Sequence, residues 1–309
     1  MMSHYLSVKE KYKDCIVFYR LGDFYEMFFG DAEKVSKLLD LTLTGRDCGL
    51  EKRAPMCGVP YHAADNYIAK LVELGEKVAI CEQLEDPASA KGIVARDVIR
   101  VVTAGTVTDE KHLDEKSASY VCSACLCEGT AALAWADITT GEFCAAEYEG
   151  DGAAAQAVAQ MIKLSVKEVI SDDNFIMETR SMPEVSRGVL PKFSSYPAWA
   201  YGYSAAERAL CGQFGAKSLA AFSVSGHKAA ISAAGALLEY LKETQKHALK
   251  NIDGIRYIAP DSFMRLDTTA IRNLELVKTL AEGKKYGSLL WLLDKTRTSM
   301  GARLLSSWI

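Results

Sequence analysis

The chain has 309 residues, 49% of them hydrophobic and 25% charged, with a net charge of −4. This is ordinary globular composition, with length for two domains or slightly more. Residues 1–110 carry 14 basic and 18 acidic side chains. That excludes a uniformly basic module gripping phosphates, so any nucleic-acid contact must come from local patches or from parts beyond these residues.

No run approaches about 18 apolar residues, so no transmembrane helix is expected. The start, Met1-Met2-Ser3-His4-Tyr5, lacks the pattern of a signal peptide. The nine cysteines then read as reduced thiols of a cytoplasmic protein.

In chain order, Cys15–Arg20 is β-branched and aromatic and predicts a strand. Leu21-Gly22-Asp23 supplies a turn, and residues 24–29 the return strand of a hairpin. Gly30-Asp31 reads as a break and N-cap before a helix over Ala32–Leu39. Residues 44–60 read as a loop rich in Gly, Asp, Lys and Arg, and residues 63–74 as an amphipathic helix stopped by Gly75. Strands follow at 77–81 and 97–103, then a polar linker over 104–118.

Residues 119–127, 130–138 and 142–148 predict a three-strand meander. An Ala-rich helix over 153–164, a short strand over 166–170 and a long helix from His227 to about His247 follow, favouring a sheet flanked by helices. Residues 267–281 and 288–308 predict helices, the last ending in mid-pattern at Ile309 as a truncated chain would.

The run Phe18-Tyr19-Arg20-Leu21-Gly22-Asp23-Phe24-Tyr25-Glu26-Met27-Phe28 resembles the mismatch-recognition hairpin of the bacterial MutS family. Ala54-Pro55-Met56-Cys57-Gly58-Val59-Pro60-Tyr61-His62-Ala63, Val78-Ala79-Ile80-Cys81-Glu82-Gln83 and Arg100-Val101-Val102-Thr103-Ala104-Gly105-Thr106 resemble the rest of that domain. Arg272-Asn273-Leu274-Glu275-Leu276 and Leu292-Leu293-Asp294-Lys295-Thr296, with Met300-Gly301, resemble the start of the family's helical core. The resemblance runs through essentially the whole chain. One departure is Ala104, where the family usually has Pro, at the exit from the first domain.

The resemblance implies an α/β chain in three parts. Residues 1–110 are a mixed-sheet mismatch-recognition domain (domain I), residues 118–245 an RNase H-like connector (domain II), and residues 246–309 the truncated start of an all-α core (domain III). It also implies that Phe24 stacks on a mispaired or unpaired base while Glu26 hydrogen-bonds to it. The chemistry is consistent. Residues i and i+2 of a strand share a face, and an aromatic wedge unstacks a base step at a cost of about a few kcal/mol, least where pairing is already poor. Glu26 can accept from a base N–H or, if protonated, donate to a ring nitrogen. Outside this setting Phe24 would read as a core aromatic of a hairpin; Tyr25, Phe28 and Phe29 are read as packing residues.

Family position places Arg46, Met56 and Arg100 as supporting DNA contacts. On residue type alone, Met56 reads equally as loop packing and the two arginines as solvated charges. For the full-length protein the resemblance implies an ATPase using ATP and Mg, a homodimer, duplex DNA with mismatches or small loops as ligand, and a MutL-type partner reached through the connector. It implies a cytoplasmic bacterial protein, nucleoid-associated when acting, with no membrane role. The ATPase site is absent from these residues, and no cofactor, metal or catalytic residue is expected in them.

The rival readings are a paralogue binding branched DNA, which tends to lack the Phe-x-Glu pair, and an RNase H-like nuclease using Asp137 with Glu142 and Glu147. Cys122, Cys125 and Cys127 are too few for zinc and read as buried thiols. Residues 212–218 lack the glycines of a phosphate loop. The five dispersed histidines join no nucleophilic constellation.

Overall fold

The computed structural model describes residues 1–47, 53–85, 94–106, 118–246, 249–260, 266 and 268–309. It divides into two units, Met1–Asp109 with Leu241–Ala248, and Glu110–Tyr240 with Leu249–Ile309. Each is built on a mixed six-stranded sheet.

The first unit opens with helix α1 (Met2–Lys11), which the sequence reading did not anticipate. Strands β1 (Cys15–Leu21) and β2 (Phe24–Phe28) form the expected hairpin. Its two-residue turn has Gly22 at φ +58°, a conformation only glycine adopts cheaply at the first turn position. Then come α2 (Phe29–Leu39), β3 (Thr44–Arg46), β4 (Ala54–Pro60), α3 (Ala64–Glu73), β5 (Lys77–Gln83) and β6 (Arg96–Val102). The sheet order is β3-β4-β2-β1-β5-β6. Only β1 and β5 pair in parallel.

Side-chain alternation along β2 divides this unit into two cores. Tyr25 and Met27 pack with Ile16, Phe18, Cys57, Val59, Val35, Ile68 and Leu71, beneath α2 and α3. On the opposite face Phe28 packs with Tyr5, Val8, Val17, Tyr19, Ala79 and Cys81 beneath α1. A wholly buried methionine such as Met27 is worth about 2–5 kcal/mol against alanine, so a one-residue slip of β2 is strongly disfavoured.

Two expectations for this unit are corrected. The loop expected over 44–60 contains β3 and β4, and residues 48–52 lie outside the described residues. Its Pro and Gly content suggests a loop, but Cys57 and Val59 alternate into the core, and pairing of β4 with β2 overrides the local preference. Asp31 is no N-cap, because α2 already begins at Phe29. Its carboxylate is buried and accepts from Lys9 Nζ (2.8 Å), Tyr5 Oη (3.1 Å) and the Val17 amide (3.0 Å), tying α1 and β1 to α2.

The second unit contains β7 (Val121–Cys127), β8 (Thr130–Asp137) and β9 (Glu142–Tyr148) as the expected meander. Helix α4 (Ala153–Leu164) and β10 (Glu168–Ser171) follow, then α5 (Asp173–Thr179), α6 (Pro183–Ser186), β11 (Phe193–Ser195), α7 (Tyr203–Phe214), α8 (Lys228–Gln245), whose residues from Leu241 belong to the first unit, and the short β12 (Arg256–Tyr257). The order is β11-β10-β7-β8-β9-β12, with the strands outside the meander added in parallel. Residues 212–218 form the end of α7 and its left-handed cap at Gly215, not a phosphate loop. Most of the predicted linker, residues 107–117, lies outside the described residues.

The last region is corrected as well. In place of two long helices there are α9 (Thr268–Asn273), α10 (Leu289–Leu293) and α11 (Ser299–Trp308); Asp267 lies outside the described residues. Side chains compete with the helix between them. Asp294 accepts from the Thr296 amide and hydroxyl and pairs with Lys285, while the Thr298 hydroxyl caps Gly301. Leu292, Met300, Leu304 and Trp308 are exposed, so little burial favours longer helices.

Replacing Asp31 with alanine leaves the Lys9 ammonium and the Val17 amide without their acceptor. It should lower stability by about 3 kcal/mol, read as a lower urea midpoint, and Asp31→Asn should recover part of the loss. An unchanged midpoint for the alanine variant would contradict this role.

Candidate nucleic-acid interface

The candidate site lies at the turn end of the β1–β2 hairpin. Phe24 pairs with Leu21 on one side and Pro60 on the other, and Glu26 with Tyr19 and Gly58. The two side chains therefore share a face, as the strand period requires. Phe24 is 47% exposed, whereas Phe28, further along the same face, is buried against Tyr5. The α1 core thus covers one end of this face and leaves an aromatic ring open at the other.

Glu26 is less open. Its side chain is 16% exposed, and Oε2 accepts from Arg46 Nη1 at 2.5 Å. Gly58, directly opposite, leaves room for it: a β-carbon there would lie 3.3 Å from the Tyr25 carbonyl oxygen and 3.5 Å from Glu26 Cγ. Any larger residue would need the Tyr25 carbonyl to give by a few tenths of an ångström, so this approach, and not backbone conformation, favours glycine.

Beneath the hairpin, on the other face, a polar network holds the strand end. The Tyr25 hydroxyl donates to Glu82, and burial together with that carboxylate pushes its phenol above the ordinary value. Arg20 pairs with Glu82 at 3.5 Å, donates from Nε to the Gly22 carbonyl and lies 3.8 Å over the Tyr61 ring. From the Phe24 side, Arg96, whose guanidinium lies 5.5 Å from the Tyr19 ring, donates from Nε to the Arg20 carbonyl at 2.9 Å, and the Tyr61 amide donates to the Asp23 carbonyl at 2.9 Å. Turn, β1, β4 end, β5 and β6 are thereby joined around the exposed ring.

The structure brings Arg46 to Glu26 but does not gather the other supporting candidates with them. Met56 pairs with Phe28 and packs, partly buried, against the α1-side core. Arg100 pairs with Ile80, whose side chain belongs to the core on the face opposite Phe24 and Glu26. Sequence reasoning missed Arg20, Tyr61, Glu82 and Arg96. The Arg20-Leu-Gly-Asp run was a signal for Arg20, and Tyr61 and Glu82 lay in runs that resemble the family without a role attached; Arg96 carried none.

In the second unit the carboxylates are committed separately. Asp137 accepts from the Ser119 and Thr139 amides and the Thr139 hydroxyl, closing a turn. Glu142 is held by Tyr120 and Arg256, and Glu147 by His227 and the Ala230 amide. This arrangement does not support a nuclease. Cys122 and Cys125 are buried on opposite faces of β7, and the partly buried Cys127 lies beside Cys125, with the sulfurs 3.8 Å apart. No helix among the described residues is long and apolar enough to cross a membrane.

Three family models match in order: MutS domain I over residues 1–111, MutS domain II over 119–253 and MutS domain III over 269–309. The chain belongs to the MutS family. Curated relatives named DNA mismatch repair protein MutS include those of Ruminiclostridium cellulolyticum, 48% identical over 309 residues, and Acetivibrio thermocellus, 45% over 320. That of Clostridium perfringens is 47% identical over 311 residues. Each match covers the whole of this chain but only 33–35% of the relative. The chain therefore spans about a third of the length of these MutS relatives.

An exposed ring contributes little to the fold. Phe24→Ala should change stability by about 0.5 kcal/mol or less, whereas Met27→Ala, three residues on and therefore on the opposite, buried face, should cost about 2–5 kcal/mol. Denaturant unfolding of both variants measures this. Comparable losses would mean that Phe24 is a core residue.

Proposed function

We propose that this chain is the mismatch-sensing part of a DNA mismatch repair protein, with Phe24 wedging at a mispaired or unpaired base and Glu26 hydrogen-bonding to it. The observation that carries the reading is an exposed phenylalanine and a carboxylate on one face of a hairpin in domain I of the MutS family. A splayed base step offers such a ring a flat apolar surface to stack on. Because the contact works through unstacking, it reads deformability in any sequence context.

The acidic balance of residues 1–110 assigns the main grip on phosphates to other parts of the full-length protein. That protein would act as a homodimer on duplex DNA with mismatches or small loops, with ATP and Mg used by a domain outside this chain, and a MutL-type partner engaging the connector. It would act in the bacterial cytoplasm, associated with the nucleoid. Arg46 and Arg100 remain proposed DNA contacts, on different faces of the sheet, and Met56 a proposed contact that also packs the core.

In the full-length protein, Phe24→Ala should abolish the preference for mismatched over matched duplex while binding to matched duplex persists. Competition binding at one fixed salt concentration measures the ratio. A preserved preference would overturn the wedge.

A further inference from the structure

We propose that Arg46 is a positioning residue that sets which mispairs Glu26 accepts. This rests on the reading of Phe24 and Glu26 as the mismatch probe and adds a residue that acts through it. The two side chains come from β3 and β2, which are separated in the sheet by β4. Yet Arg46 Nη1 reaches Glu26 Oε2 at 2.5 Å.

A guanidinium can only donate, so Oε2 is committed as an acceptor. Among the described residues Oε1 accepts no hydrogen bond. Glu26 thus keeps one uncommitted oxygen, with the carboxylate held by a charge-assisted contact. On the remaining side lies Gly58, where a β-carbon would be in van der Waals contact with Glu26 Cγ at 3.5 Å.

The consequence is a rule stated in atoms. The open oxygen is matched by a base that presents an N–H there, as thymine does at N3. A ring nitrogen that can only accept is matched only when that oxygen carries a proton. The pair also screens the carboxylate from DNA phosphates while the hairpin passes over matched duplex, since a guanidinium at this distance offsets its charge. Without Arg46, the Glu26 side chain would lose its fixed direction and its cation together.

The test uses the full-length protein and three duplexes of one sequence: matched, with a G·T mispair, and with guanine opposite N3-methylthymine, which lacks the N–H. Binding is measured by fluorescence anisotropy at fixed salt. For the native protein, methylation should weaken binding about tenfold, the scale of a hydrogen bond to a charged group. Arg46→Ala should weaken G·T binding about tenfold more than it weakens matched duplex and show no further loss on methylation, because both changes remove one coupled contact. Arg46→Lys should restore most of the G·T affinity.

Equal weakening on matched and mismatched duplex would make Arg46 a phosphate contact and overturn the proposal. So would losses that simply multiply, or a native protein indifferent to methylation. Glu26→Ala separates the two levels. If that variant still distinguishes thymine from N3-methylthymine, Glu26 does not read the base, and the underlying reading of the site fails with the proposal.

Discussion

Much in the first unit depends on the alternation of five residues in β2. Tyr25 and Met27 must enter the core under α2 and α3, because Ile16, Phe18, Cys57 and Val59 meet them there. A strand has two faces and no third choice. Phe24, Glu26 and Phe28 are therefore committed to the other side, where α1 covers only Phe28. Burial of one set of side chains is what exposes the other, and the aromatic that remains in water is a consequence of the same register that builds the core.

The surroundings of that ring suit the proposed wedge. Forcing a side chain between base pairs takes free energy that a loose loop would dissipate as its own disorder. Here Gly22 permits a tight turn, and Arg20 connects it to Tyr61 and Glu82. Tyr25 is tied to the same carboxylate from within the sheet. In the proposed reading, the recognition chemistry and the support behind it come from opposite faces of one strand.

Legibility in the sequence followed the range of the interactions. The hairpin, the meander and α4 were readable because turn residues and periodicity are local signals; β9 and α4 appear over the predicted residues. The β3–β4 pair was hidden, because Pro and Gly in residues 54–60 suggest a loop and only pairing with β2 shows otherwise. Asp31 looked like a cap because a carboxylate before an apolar run usually is one; its real partners lie 14 to 26 residues earlier in the chain. The shared face of Phe24 and Glu26 was readable from spacing, but the Arg46 contact was not. It crosses a strand that the sequence did not show. Arg100 was placed by family position alone, and the register sets it on the opposite face.

The central claim is that the side chain at position 24, and not its neighbour at 25, meets the mispaired base. Site-specific photocrosslinking tests it most directly, with a benzophenone amino acid placed at 24 or at 25 in the full-length protein on a duplex carrying one mispair. The account predicts crosslinks from position 24 that map to the mispaired nucleotide and disappear on matched duplex. Crosslinks from 24 spread evenly along matched and mismatched DNA, or a mismatch-specific crosslink from 25, would contradict it.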